Sequence, residues 1–247
     1  MELATPDVVV AQVVQVNISN FNVFLVRGNA GCVLVDTGNP GNADLILERL
    51  AVHGVAPGDV RLILITHGHV DHFGSAAALR ERTGAPVAIH ALDADAARQG
   101  IHQPDSLQPT GRLMAFLMRI PGMTGAGHAP AFEPDITFED EFHLDEYTFA
   151  SLSASGIAGR VIHTPGHTPG SVSMLLDSGE AIVGDLVMGK LGGLLRRPGP
   201  PVVAWNLERN WESVRRLMAL SPHVVYVGHG GPFEAEDLSK FVAKIAA

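Results

Sequence analysis

One stretch limits what this chain can fold into. Val60 to Ile65 is apolar apart from Arg61 and has the length and β-branched content of a buried strand. It runs directly into Thr66-His67-Gly68-His69-Val70-Asp71-His72, which holds three imidazoles and a carboxylate. A strand that ends in such a cluster offers borderline-soft nitrogen and hard oxygen ligands together. That mixture suits Zn²⁺, with Fe²⁺ or Mn²⁺ as alternatives. Taken alone, the stretch is also compatible with a polar surface turn that happens to hold histidines.

Matching partners downstream favour the metal reading. His167 lies in His163-Thr164-Pro165-Gly166-His167-Thr168-Pro169-Gly170-Ser171, Asp185 in Ile182-Val183-Gly184-Asp185, and His229 in Tyr226-Val227-Gly228-His229-Gly230-Gly231-Pro232. Each loop starts where an apolar, strand-like segment should end. Each has glycine beside the ligand-type residue, which lets backbone approach closely. Loops of this kind converging at one edge of a sandwich can build a site.

With 247 residues the chain can bury one large core or two joined halves. It carries 17 Lys and Arg against 26 Asp and Glu, a net charge of −9. That balance argues against nucleic-acid or anionic-membrane binding, where basic patches supply most of the affinity. Cys32 is the single cysteine and sits in an apolar run, so no intrachain disulfide is possible and an inert core thiol is expected. The first residues lack the basic and apolar segments of a signal peptide, and no apolar run approaches the ~20 residues that span a bilayer. A soluble, cytoplasmic protein acting on a small molecule is the expectation.

Along the chain, Val8 to Val16, Phe21 to Val26 and Cys32 to Val35 predict a strand meander. A helix with Leu45, Ile46 and Leu50 inward precedes the strand Val60 to Ile65, and a second helix is expected over Phe73 to Arg82. Val87 to His90 predicts another strand. Prolines and glycines interrupt residues 100–134, around one short apolar helix, Leu113 to Met118. This is read as an insertion between two halves: a lid over a substrate pocket, simple packing, or a homodimer contact. The second half predicts strands at Ile136 to Phe138, Tyr147 to Leu152, Arg160 to His163, Val172 to Leu176, Ala181 to Val183 and Val224 to Val227. Helices are expected over Leu207 to Leu220 and Ala235 to Ile245. Two halves with strands and outer helices give an α/β chain in a four-layer αβ/βα sandwich, two mixed sheets face to face with helices outside, as one domain over 1–247.

His-x-His-x-Asp-His, then Thr-Pro-Gly-His-Thr-Pro-Gly, Gly-Asp and Gly-His-Gly together resemble the metallo-β-lactamase-fold hydrolase superfamily in type and order. The resemblance implies that His67, His69 and His167 hold one metal, that Asp71, His72 and His229 hold a second, and that Asp185 bridges them. Two Zn²⁺ ions about 3.5–4 Å apart would share a hydroxide that attacks an electrophilic centre. Asp71 would also hold the nucleophile and pass its proton. Asp36 resembles the carboxylate that orients a metal-bound imidazole; an Asx turn capping its own loop is the alternative. His163 is read as structural. His53, His90, His102, His128, His143 and His223 are mostly set aside as surface or packing residues.

The family's di-zinc β-lactamases typically carry Cys or Ser where Asp185 stands. Asp here resembles glyoxalase II-type thioesterases, lactonases and tRNA-processing nucleases. Glyoxalase II-type enzymes usually add a C-terminal helical extension, and the chain from Gly230 to Ala247 is too short for one. The insertion has only Arg112 and Arg119 for an RNA-binding arm. Arg196 and Arg197 are read as a solvated loop in preference to an anion site. Tyr147 and Tyr226, the only tyrosines, lie in no clear pocket motif. A small ester, lactone or thioester is therefore the expected substrate. A mononuclear-iron persulfide dioxygenase, a phosphodiesterase or nuclease, a β-lactamase, and a non-enzymatic metal-binding regulator are the rivals.

Overall fold

Side-chain alternation sorts the early strands between two apolar layers. Along Phe21–Arg27, Phe21, Val23 and Leu25 pack to one side, and Phe24 and Val26 to the other. Along Cys32–Val35, Cys32 and Leu34 join the first layer, and Val33 and Val35 the second. Successive strand residues point to opposite faces, so a sheet covered on both faces reads as an unbroken apolar run.

The computed structural model describes residues 11–18, 20–119, 127–144 and 156–245. In chain order the strands are β1 Gln12–Ile18, β2 Phe21–Arg27, β3 Cys32–Val35, β4 Val60–Leu64, β5 Val87–His90, β6 Gln108–Pro109, β7 Ile136–Phe138 and β8 Phe142–His143. They continue with β9 Gly159–His163, β10 Val172–Leu176, β11 Glu180–Ile182, β12 Met188–Lys190, β13 Leu195–Gly199, β14 Val203–Ala204, β15 Val224–Tyr226 and β16 Phe233–Glu234. Among the described residues twelve of them form two six-stranded mixed sheets, ordered β1-β2-β3-β4-β5-β7 and β16-β15-β11-β10-β9-β8, and the other four form the pairs β12-β13 and β14-β6.

The sheets pack face to face through a middle layer that includes Phe24, Val35, Leu64, Val161, Met174 and Ile182. Helices Ala43–Val52 and Ala76–Thr83 cover the outer face of the first sheet with Ile46, Leu50 and Leu79. Helices Leu207–Ala219 and Ala235–Ile245 cover the second with Val214, Leu217 and Leu238. Each such fully buried aliphatic side chain contributes about 1.5–3 kcal/mol. The architecture is the four-layer αβ/βα sandwich expected from the sequence. Cys32 is buried in the outer layer, and burial pushes its thiol up to about 11. No helix among the described residues is long and apolar enough to cross a membrane.

Three local expectations change. The helix expected over Phe73 to Arg82 is two helices, Val70–Phe73 and Ala76–Thr83. The break lies where Gly74 packs against Pro40 and Ser75 Oγ donates to the Asn39 carbonyl. Arg196 and Arg197 lie in β13, which pairs with β12 as a hairpin; they are exposed but not in a loop. The first strand starts at Gln12 and extends to Ile18, because it pairs along the whole of β2. Val8 to Val10 and the strand expected over Tyr147 to Leu152 fall outside the described residues.

Candidate metal centre

Strand direction brings the candidate ligands to one edge. β9 and β11 both run antiparallel to β10, and β15 runs parallel to β11. The loops after β9, β11 and β15 therefore leave the second sheet at the same end. Ile182 is in register with Tyr226, which sets Asp185 and His229 three residues beyond a common level. In the first sheet β3 and β4 are parallel neighbours, so the Asp36 turn and the His67 turn also lie side by side. Asp71 and His72 ride on the one-turn helix Val70–Phe73, whose N-cap is His69. Thr37 holds that turn: its N–H and its hydroxyl both donate to the His72 carbonyl.

Five imidazoles meet there, each tied by one ring nitrogen. His72 Nδ1 donates to Asp36 Oδ2 at 2.8 Å, His167 Nδ1 to the Val203 carbonyl at 2.9 Å, and His229 Nδ1 to the Asn20 carbonyl at 2.9 Å. His67 Nδ1 lies 3.0 Å from Thr66 Oγ1, whose own hydrogen goes to Asp36. His69 Nε2 lies 2.7 Å from Ser106 Oγ, whose hydrogen goes to the Gln103 carbonyl. Each hydroxyl oxygen therefore accepts from the ring. Every outer nitrogen carries a proton, and in the neutral ring every inner nitrogen is a lone pair.

The inner nitrogens face one another. His167 Nε2 is 3.1 Å from His67 Nε2 and 3.0 Å from His69 Nδ1. Asp185 Oδ2 lies 4.0 Å from His67 Nε2, 3.5 Å from His72 Nε2, 3.6 Å from His167 Nε2 and 3.4 Å from His229 Nε2. Asp71 Oδ2 lies 3.3 Å from His229 Nε2. The buried His72 Nε2 and Asp185 Oδ1 have no hydrogen-bond partner among the described residues. Converging lone pairs and orphaned buried polar atoms are unfavourable unless a cation lies among them. The donor set thus fits divalent metal. His67, His69 and His167 form one such group, Asp71, His72 and His229 another, and Asp185 groups with His67 and His72.

Electrostatics separate the two groups. Burial, reinforced by neighbouring imidazoles, pushes His67 and His69 well below the ordinary imidazole value, and burial also lowers His167. Burial opposes the charge on His72 and His229 as well, but Asp185 with Asp36 raises His72, and Asp185 with Asp71 raises His229 to about 8. Burial would raise Asp71 and Asp185, but the imidazoles around them hold both below the usual carboxylate range.

Sequence reasoning missed several residues of the site. Asp93, fully buried, accepts from the backbone N–H of Gly68 at 2.7 Å, from Gly170 N–H at 2.8 Å and from Thr168 Oγ1 at 2.5 Å. It joins the His67-His69 turn to the His167 loop. Its local sequence, Ala-Leu-Asp-Ala, carries no motif. Asn22 donates from Nδ2 to the Val227 and Gly230 carbonyls at 2.8 Å, fastening the His229 loop to β2. His102, set aside with the scattered histidines, lies in a third group with His69 and Asp71. Gly228 has no room for a side chain, because a Cβ there would meet Asp185 Oδ1 at 2.3 Å and His72 Cε1 at 2.6 Å.

Other expectations resolve locally. The Asp36 carboxylate accepts from Thr66 N–H and Oγ1 as well as from His72, so it spans two turns and does not cap its own. His163 stacks on His90 with ring centroids 4.1 Å apart, away from the five imidazoles. Tyr226 packs edge-on against Phe24, His128 is exposed, and Tyr147 lies outside the described residues. A cavity of about 410 Å³ opens over the site, with Asp71, His167, Asp185 and His229 on its floor. Leu107, Met114 and Met118 from the 100–134 segment line its wall. β6 of that segment pairs with β14, the strand whose Val203 carbonyl holds His167.

A cluster of imidazoles and carboxylates at the strand ends of an αβ/βα sandwich defines a metal-dependent class. The sequence profile of the metallo-beta-lactamase superfamily matches residues 20–229, and the chain belongs to that superfamily. A probable metallo-hydrolase of Bacillus subtilis, YflN, is 28% identical over 87% of this chain and 81% of its own length. A hydroxyacylglutathione hydrolase of Anaeromyxobacter dehalogenans is 31% identical over 72% of this chain, which spans only 50% of that protein. The crystal structure of the B3 metallo-beta-lactamase BLEG-1 superposes with a TM-score of 0.70 over 96% of this chain and 100% of that one, at 21% identity, which speaks to the fold alone.

Proposed function

We propose that this protein is a hydrolase of a small ester, lactone or thioester, working at a two-cation site. His67, His69 and His167 would hold one cation; Asp71, His72 and His229 the other; Asp185 would face both. The observation that carries this reading is the set of inward lone pairs, each fixed by an outward hydrogen bond, around the Asp185 carboxylate. Bound divalent cations, zinc by ligand type, would supply Lewis acidity and a water whose pKa falls from about 15.7 to about 7.

The chain's own residues supply the rest. Asp36, Thr66, Ser106 and the carbonyls of Val203 and Asn20 fix the ring orientations before substrate arrives. Asp71, half-buried at the cavity floor, has a carboxylate able to take the proton released as water adds to the carbonyl carbon and to return it to the departing oxygen or sulfur. Leu107, Met114 and Met118 offer an apolar wall that covers the acyl portion. The hydroxyacylglutathione hydrolase relative supports the thioester side of the reading.

Metal content of protein purified without added metal or chelator, followed by a panel of acyl lactones, aryl esters and acyl thioesters, tests the proposal. About two zinc ions per chain and turnover lost in His67→Ala are expected. One iron per chain, with oxygen consumed in the presence of a persulfide, would replace it with sulfur oxidation. No turnover above free Zn²⁺ would sink it.

A further inference from the structure

The net charge of −9 conceals an uneven distribution. Residues 106–132 and 186–207 contain Arg112, Arg119, Lys190, Arg196 and Arg197, five of the chain's 17 Lys and Arg, and none of its 26 Asp and Glu. All five are exposed, and none enters an ion pair among the described residues. Elsewhere on the surface Arg80, Arg82, Arg98, Arg209, Arg216 and Lys240 are each paired with a carboxylate.

The same two segments hold most of the exposed apolar side chains. Nine large ones are exposed among the described residues, and six are theirs: Leu113, Phe116, Leu191, Leu194, Leu195 and Trp205. Leu194 is 81% exposed, Phe116 64% and Leu113 61%. Single apolar residues scattered over a surface need no explanation, but a concentration of them marks an interaction site.

Strand pairing joins the two segments. β6 lies against β14 with Pro109 opposite Val203, and Thr110 N–H donates to the Val202 carbonyl at 3.1 Å. Both segments line the metal cavity, the first through Met114 and Met118, the second through Gly192 and Val202. Leu113 and Leu191 each adjoin one of those lining residues in sequence. On the helix Arg112–Leu117 and its closing turn, Met114 and Met118, four apart, turn to the cavity. Arg112 and Phe116, also four apart, turn to solvent.

We infer that this face docks on a bilayer surface carrying anionic lipids, with the apolar side chains entering between headgroups and the five cations resting on them. Exposed Leu, Phe and Trp among unpaired cations complement such a surface in both chemistry and charge. A second copy fits less well, because a two-fold contact through this face would set the cations of one copy against those of the other. A single-stranded nucleic acid would use the cations and the aromatic rings, but not exposed Leu113, Leu191 and Leu194. The inference stands apart from the hydrolase reading, since binding is measured without substrate.

The test is sedimentation of the protein, with its native metal, alongside phosphatidylcholine vesicles made with and without phosphatidylserine. Binding is expected only with phosphatidylserine and should weaken as salt rises. A cation at an anionic surface is worth about fivefold in affinity, so Arg196→Glu with Arg197→Glu should weaken binding at least about tenfold. Arg49→Glu with Arg215→Glu makes the same change in net charge on exposed residues outside the two segments, and should leave binding near wild type. Phe116→Ser with Leu194→Ser should also cost at least about tenfold. Absent binding to the anionic vesicles, or equal losses in the two charge-reversed pairs, would overturn the proposal. Binding that the serine pair leaves unchanged would overturn it too, since it would mark a site for any polyanion. A concentration-dependent dimer dissolved by the serine pair, without vesicle binding, would give the face to a second copy and refute the bilayer.

Discussion

His72 Nδ1 and Asp36 Oδ2 meet at 2.8 Å where the parallel strands β3 and β4 end side by side, and both side chains are buried. Asp36 holds a positive φ of 64°, a conformation asparagine also tolerates. Asp36→Asn therefore removes charge with little backbone strain. Metal affinity, read by competition with a chromogenic chelator, should fall 10- to 100-fold, as for other residues that orient a ligating imidazole. Unchanged affinity would mean that the carboxylate serves only to join the two turns.

Asp93 is a more structural joint. Asp93→Ala leaves the N–H groups of Gly68 and Gly170 and the Thr168 hydroxyl short of the acceptor they now share. A buried unsatisfied donor costs about 1–3 kcal/mol, so the variant should lose about 3 kcal/mol in denaturant unfolding and bind metal more weakly. A loss confined to metal affinity, with stability intact, would show that the two turns hold their places without it.

Chelation should destabilise the protein. A ligand that binds only the folded state contributes about 4 kcal/mol when present at 1,000 times its Kd. Dialysis against chelator should therefore lower Tm, and returned Zn²⁺ should restore it. Asp185 and Asp71 raise metal-free His229 to about 8, so a proton competes with metal below that pH. Apparent affinity should rise with pH up to about 8, with proton release visible as buffer-dependent heats in calorimetry. A Tm indifferent to chelator would contradict the lone-pair reading of the site.

His90 gives a second pH dependence, distinct from the metal centre. Burial, with the stacked His163 beside it, pushes His90 down to about 4, against about 6.5 in the unfolded chain. The unfolded state then binds more protons between those values. The contribution is complete above pH 6.5 and is lost as pH falls toward 4. Between pH 7 and pH 5 the wild type should lose about 2 kcal/mol more than His90→Gln, measured by urea unfolding at each pH. Parallel losses in the two proteins would place the titration elsewhere.

The strands were legible because they are buried on both faces. β5 and β10 fall where runs such as Val87 to His90 place them, with no competing helical period. The five imidazoles and two carboxylates were legible because each sits beside glycine, or within a motif, at the end of such a run. Asp93, Ser106 and Asn22 were not, since their roles arise from backbone groups far away in sequence and leave no local pattern. The β12–β13 hairpin was missed for a related reason. Leu195-Arg196-Arg197 is exposed and has no alternation, and its pairing depends on glycines that let the backbones approach.

The order of the centre's residues along the chain has a consequence for assembly. His67, His69, Asp71 and His72 are synthesised first, yet their partners His167, Asp185 and His229 come from the other sheet. A nascent chain that ends before β15 holds an incomplete chelate, lacking the final imidazole and the Asn22 clasp that positions it. The group of Asp71, His72 and His229 is therefore completed only once β15 has docked beside β11.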